Sequence, residues 1–166
     1  MPTRNQQAVQ CPTCGPSELH VQAYRHEMHV GGVKVLDATG QALVCRSSTC
    51  GEVLLTTEQL AGYERRAAAL VLRDGRRASG AVLRYARKVL GLRQSELGTL
   101  IDSAAETISR WENDREAVPR TVQLAVVALL DAVERREIDV NELVRPAGAA
   151  RTSLPDQLEV PNRPAV

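Results

Sequence analysis

Between residues 9 and 55 the apolar side chains come at every second position, in stretches such as His20-Val21-Gln22-Ala23-Tyr24 and Val33-Lys34-Val35-Leu36. That is the repeat of strands with one face turned inward. Turn-forming Gly31-Gly32 and Asp37-Ala38-Thr39-Gly40 separate them, so this part predicts a small, mostly β module. At Thr56-Thr57-Glu58 the period changes, and Leu60, Tyr63, Ala67, Leu70 and Val71 recur at helical spacing until Asp74-Gly75. A helix within 56–79 is expected to link the β module to a helical remainder. From Ser79 the helical spacing continues through Leu83, Ala86 and Leu90, restarts after Gly91, and persists in short helices with brief turns to about Val144. After Arg145 come Pro146, Pro155, Pro161 and Pro164 with few bulky residues, a composition too poor in apolar surface to fold. The expected organisation is therefore α+β, with a β-rich module at 1–55, a linking helix at 56–79, a helical domain at 80–145 and a disordered tail at 146–166.

A chain of 166 residues suits two small domains. With no Phe and a single tryptophan, Trp111, their cores must be built from Leu, Val, Ile and Ala. The net charge of +1 gives no general attraction to nucleic acid. Between Gly62 and Gln94, however, Arg65, Arg66, Arg73, Arg76, Arg77, Arg84, Arg87, Lys88 and Arg93 face only Glu64 and Asp74, which predicts a local basic surface. No apolar run approaches the roughly 20 residues that cross a bilayer, and the polar stretch from Met1 to Gln10 lacks a signal-peptide core. A cytoplasmic location is expected, with no membrane partner.

In a reducing compartment four cysteines point to metal or redox chemistry rather than to disulfides. Cys11-Pro12-Thr13-Cys14-Gly15 has the form of a metal knuckle: two thiolates three residues apart can face one ion, and the glycine after them permits the tight turn. Cys45 and Cys50, followed by Gly51, form a second, wider pair. Four thiolates in two such pairs are the signature of one structural Zn²⁺ per chain. The competing readings are buried small hydrophobes or a redox dithiol, but the latter belongs at a helix start in a βαβ setting that is missing here. His20, His26 and His29 read as surface or strand residues, because four sulfurs already fill a tetrahedron. A filled tetrahedron also leaves no open position for water, which argues against a zinc enzyme.

Residues 83–119 read as successive short helices: 83–90, then 94–101, a turn at Asp102-Ser103, then 105–113, with Leu97, Leu100, Ile101, Ile108 and Trp111 inward. Gly98 is small where the second of these must lie close to the third. The motif Gln94-Ser95-Glu96-Leu97-Gly98, then Thr107-Ile108-Ser109-Arg110-Trp111-Glu112-Asn113 and Pro119, resembles the Xre/Cro-type helix-turn-helix. Preceded by a four-cysteine module, the whole is similar to the MqsA-type antitoxins over roughly residues 11–130. It departs from the pattern at Arg93, where Ser or Thr is the usual cap, at Asp102, which replaces the turn glycine, and in the stretched second cysteine pair.

The resemblance implies that Ala105, Glu106 and Arg110 face the DNA groove. Arg110 could then pair with guanine, Glu106 accept from a cytosine amino group, and Ala105 touch a thymine methyl. Gln94, Thr107 and Ser109 would contact phosphate or set the register. Two readings of Glu106 stay open, since Ser103-Ala104-Ala105-Glu106 also fits a helix capping box. For Arg110 the alternative is a solvated surface arginine. The resemblance further places Arg87 and Glu112 as a structural ion pair, against the alternative of two independent surface charges. The stretch Thr121–Leu130 is apolar almost all round, so beyond one core face it is expected to bury a second face against its own copy, unless it is a central helix in a monomer. The function so implied is a sequence-specific repressor reading a palindromic operator in double-stranded DNA as a homodimer. It would be the antitoxin of a type II toxin-antitoxin pair that binds its toxin and autoregulates the operon. The alternative is a free-standing Xre-family regulator whose zinc module binds some other protein.

Overall fold

The computed structural model describes residues 10–15, 17–75 and 78–144; the expected tail lies outside them. The fold is α+β. Five strands, β1 (Leu19–Ala23), β2 (His26–Val30), β3 (Val33–Asp37), β4 (Gln41–Cys45) and β5 (Val53–Leu54), precede the helices. These are α1 (Thr57–Asp74), α2 (Gly80–Val89), α3 (Gln94–Leu100), α4 (Ala105–Glu112), α5 (Arg120–Glu134) and α6 (Val140–Val144). The strands form two antiparallel sheets, one of order β1-β4-β5 and a separate β2-β3 hairpin. In the first, Leu19 lies opposite Cys45, which brings the end of β4 beside the cysteine loop preceding β1.

Most of the buried apolar side chains gather in two clusters that do not follow chain order. A small one gathers Cys11, Leu19 and Cys45, with Cys14, Leu43, Cys50 and Leu54 packed around it. The large one holds the helices and also Val30 and Val35, so the β2-β3 hairpin, nested in sequence between β1 and β4, packs with the helices. Helix α1, started by a capping box between Thr56 and Gln59, buries Tyr63, Ala67, Ala68, Ala69, Val71 and Leu72. The helix expected as a link is thus also a core element. Its ties to the rest are polar as well: Arg66 bonds Asp37 at 2.7 Å and Glu134 at 2.6 Å, and Arg65 bonds Glu134 at 2.7 Å, joining β3, α1 and α5.

Helix α2 starts at Gly80, where the helical spacing from Ser79 begins and three residues before the 83–90 helix of the motif, and the Gly80 N–H donates to the Asp114 carboxylate at 2.6 Å. Helix α3 starts after Arg93, which offers no acceptor; Glu96 instead accepts from the Arg93 N–H at 2.5 Å, half of a capping box. Asp102 holds the left-handed turn after α3 with φ of 53°. Gly98 is buried there, and a Cβ on it would sit 2.3 Å from the Ser103 carbonyl oxygen. Its small size thus serves the turn between α3 and α4 rather than the α4 helix itself.

Gly98→Ala is a sharp check on this turn. In an open helix Ala would stabilise by up to about 1 kcal/mol. Here the clash with backbone should outweigh that and give a net loss of roughly 1–3 kcal/mol, read from the denaturant midpoint. A variant as stable as the parent would show that the turn has room to spare.

Candidate functional site

The first candidate site is built by two loops. In the first, the Cys11 N–H donates to the Ser17 carbonyl at 2.8 Å and the Gly15 N–H to the Cys11 carbonyl at 2.9 Å. In the second, the Cys50 N–H reaches the Ser47 carbonyl at 3.2 Å and the Ser47 N–H points at the Cys45 sulfur at 3.4 Å. Gly15 and Gly51, with φ of 75° and 66°, make the left-handed bends that fold each loop back on itself. Thr13 donates to Glu52 at 2.7 Å and ties the loops together.

The four sulfurs lie within 4.8 Å of one another, with Cys11 to Cys50 at 3.7 Å and Cys14 to Cys45 at 3.6 Å. A disulfide would need about 2.05 Å. A tetrahedron with zinc-sulfur bonds of about 2.3 Å has edges of about 3.8 Å, so the spacing fits a shared ion. The wider Cys45–Cys50 pair is accommodated because Cys45 ends a strand and the loop after it curls back. Burial pushes the Cys45 thiol up. At Cys50 the Glu52 N–H favours the thiolate, but burial and the other sulfurs outweigh it and push the thiol up to about 12. Cys14, helped chiefly by the Ser17 hydroxyl, is held down to about 7. Without an ion the set retains protons that a cation would displace. No histidine joins the cluster among the described residues. His26 instead packs its ring against Tyr63, tilted by 46° with centroids 4.9 Å apart, and His20 lies 3.1 Å from the Gln22 amide.

The second candidate site is α4 with the elements that hold it. Ile108, Trp111 and Glu112 are its buried residues. The Glu112 carboxylate has no exposed surface and receives both arms of Arg87, Nε at 2.5 Å and Nη2 at 3.0 Å, plus the Gln94 amide at 2.8 Å. Arg87 also donates to the Leu92 carbonyl at 2.7 Å. Burial alone would push the Glu112 carboxyl up; the Arg87 fork and Gln94 outweigh it and hold it below the ordinary carboxylate value. One carboxylate thus fastens α2, the start of α3 and the end of α4.

On the other side of α4, Glu106 and Arg110 are exposed and Ala105, Thr107 and Ser109 half-buried. Arg110 is held by Glu116 at 2.9 Å and by the Thr107 hydroxyl at 3.2 Å. Ala104 occupies the cap position with no side-chain bond, which puts Glu106 at the second helical residue, so the capping box from Ser103 is not formed. Gln94 stands apart from this face, with its amide turned onto Glu112. Among the described residues, which leave out Arg76 and Arg77, the expected local basic surface is largely neutralised, with Lys88 and Arg93 still exposed. Arg65 and Arg66 pair with Glu134 and Asp37, Arg73 with Asp131, and Arg84 and Arg87 converge on Glu112, acids that a count within the run could not see. Sequence reasoning also missed Glu116, which no helical spacing relates to Arg110.

A β sheet gathered on four thiols, followed by helices clamped around a buried carboxylate, defines a two-part metal-site and helical protein. The chain belongs to the MqsA antitoxin family: the family described as the antitoxin component of bacterial toxin-antitoxin systems, MqsA, matches residues 9–144. Comparison with curated proteins finds no match. Among the described residues no helix is long and apolar enough to cross a membrane.

Removing one member of the buried pair should be costly: Glu112→Ala should lose roughly 3–5 kcal/mol, against about 0–1 for an exposed pair. Because the folded carboxyl is held below its unfolded value, its contribution is present at neutral pH and fades as pH falls through the folded pKa. The stability deficit of Glu112→Gln should accordingly be constant from pH 7 to about 5 and shrink below about pH 4.3. Urea titrations of both proteins across that range provide the check, and a deficit that does not vary with pH would rule out the ionised pair as its source.

Proposed function

We propose that this protein is a cytoplasmic repressor that binds double-stranded DNA as a homodimer. It acts as the antitoxin of a toxin-antitoxin pair, binding its protein toxin and regulating their shared operon. Helix α3, the turn at Asp102 and helix α4 serve as a helix-turn-helix. The observation that carries this reading is the two-sided character of α4: one side is locked into the core through Trp111 and Glu112, while Glu106 and Arg110 stand in solvent. A single helix fits the major groove, where Arg pairs with guanine, Glu accepts from cytosine and Ala meets a thymine methyl. With the Ser103 capping box unformed, base reading is the favoured role for Glu106. Thr107 and Ser109 sit where phosphate or register contacts are made, and Gln94 adds such a contact only through whatever its bond to Glu112 leaves free.

Dimerisation is assigned to α5. Val122, Val126, Val127 and Leu130 are covered within the chain, but Leu124 remains 48% exposed beside exposed Ala128. A two-fold pair would cover that stripe and space two copies of α4 about one helical turn of DNA apart, matching a palindromic operator. The four cysteines Cys11, Cys14, Cys45 and Cys50 hold one Zn²⁺ per chain. A closed thiolate set builds structure and leaves no place for a reacting water, so the protein acts by binding and not as an enzyme. The toxin is assigned to the zinc module, by analogy with the family's described role.

Purified protein should carry one zinc per chain by elemental analysis. Chelation should raise hydrogen exchange in residues 10–23 and 41–54 ahead of the 26–37 hairpin, which the helices hold. Zinc-free protein with unchanged exchange would refute the metal's structural role.

If α4 reads bases, Arg110→Ala should cost about 1–3 kcal/mol on the selected operator and relax preference at one symmetric position. Arg93→Ala, a phosphate-type comparison, should weaken all duplexes alike and flatten the salt dependence. Equal losses of Arg110→Ala on operator and random duplex would make Arg110 a phosphate contact only.

A further inference from the structure

Helix α4 ends in a Schellman turn: the Asp114 N–H donates to the Trp111 carbonyl at 3.1 Å, the Arg115 N–H to the Arg110 carbonyl at 2.9 Å, and Asp114 has φ of 53°. This turn reverses the chain tightly enough that Glu116, six positions on, lies back across Arg110, its carboxylate 2.9 Å from Nε. Both side chains are about half exposed, 49% and 48%, so the pair adds little to stability. Its geometry is more informative. A guanidinium carries five N–H groups. Thr107 accepts one on Nη2, and the Glu116 carboxylate lies against the Nε side as an ion pair, which leaves N–H groups on both Nη atoms for a two-pronged contact.

We infer that Glu116 is a positioning residue for base reading: it holds the Arg110 guanidinium by its Nε edge and presents the Nη pair as a preset fork for guanine in duplex DNA. This rests on the reading of α4 as the recognition helix. The ordering replaces the free rotation of a long exposed side chain, whose loss on binding otherwise weakens the contact. The carboxylate also repels phosphates, so Glu116 lowers attraction to any duplex while sharpening the choice among duplexes. Simple repulsion without positioning would lower all affinities equally and would not depend on Arg110.

The test is a double-mutant cycle with the full chain. Binding is titrated against the duplex that the protein selects from a random pool, the same duplex with the read guanine pair replaced, and a random duplex. Glu116→Ala should reduce discrimination between the first two about three- to tenfold while random-duplex binding holds or rises. Glu116→Gln, which keeps an acceptor for Nε, should retain part of the discrimination. In an Arg110→Ala background neither substitution should change discrimination further. Equal factors on all three duplexes, or an effect that survives Arg110→Ala, overturn the proposal. In the DNA-free protein NMR relaxation at Arg110 Nε should report a restricted guanidinium that gains motion in Glu116→Ala; unchanged relaxation overturns the positioning even where Arg110 is shown to read DNA. Should the parent protein fail to discriminate among duplexes, the recognition-helix reading falls and this inference with it, while the Nε signal still reports whether the pair exists.

Discussion

Glu112 is a carboxylate with no exposed side-chain surface, and taking it out of water would cost several kcal/mol if its oxygens were not met. They are met by both arms of Arg87 and by the Gln94 amide, which arrive from different helices. An ion pair of this kind is no better for stability than a well-packed apolar contact, yet it tolerates only one arrangement, since a displaced partner leaves a buried charge. The orientation of α4 against α2 and α3 follows from that intolerance. Arg84 adds to it by donating to the Glu112 carbonyl at 2.8 Å, so the peptide as well as the side chain is held.

The N-terminal part obeys a different constraint. Among the described residues its buried cluster holds Cys11, Leu19 and Cys45, with Cys14, Leu43, Cys50 and Leu54 packed around it, a small apolar surface against the ordering of the loops and strands. The four thiols beside it are arranged to hold a metal ion. The β2-β3 hairpin stands outside that cluster because Val30 and Val35 are buried with the helices and Asp37 is bonded to Arg66. Tyr63 strengthens the join, with its hydroxyl on the Tyr24 carbonyl at 3.0 Å and its ring against His26. The chain thus leaves the sheet beside the four thiols for the apolar core and returns to it before the first helix begins.

Local pattern made much of this legible. The strands around Val21 and Val35, the turn at Gly31-Gly32, the Thr56 start of α1 and the cysteine pairs are all carried by neighbours in sequence, and each element lies where such patterns place it, although Val21, unlike Val35, turns its side chain outward and is 56% exposed. The core position of Trp111 was readable from helical spacing in the same way. What could not be read is pairing at a distance. An arginine run looks basic until Glu134, Asp131 and Asp37 arrive from other elements to neutralise it. The hairpin looks like part of the cysteine module until its side chains are seen among the helices. Nor could the sequence show that the Gln94 amide is bonded to Glu112, or that α4 starts at Ala105, which leaves Glu106 outside a capping box.

Both ends of α4 are bounded by aspartates in left-handed conformation, Asp102 and Asp114, at positions where glycine is the easier choice. At Asp114 the side chain explains the preference. Its carboxylate accepts from the Gly80 N–H at the start of α2, where the helix dipole favours negative charge, and so links the end of one helix to the beginning of another. Glycine would make the turn but lose the link. With Gly98 pressed on Ser103 at one end and Asp114, Arg84 and Arg87 converging at the other, α4 has no freedom to tilt without breaking buried contacts. A helix so fixed presents its outer side chains at constant positions. Any selectivity on that face therefore rests on how the few long side chains are ordered there, above all Arg110, because the backbone beneath them is already set.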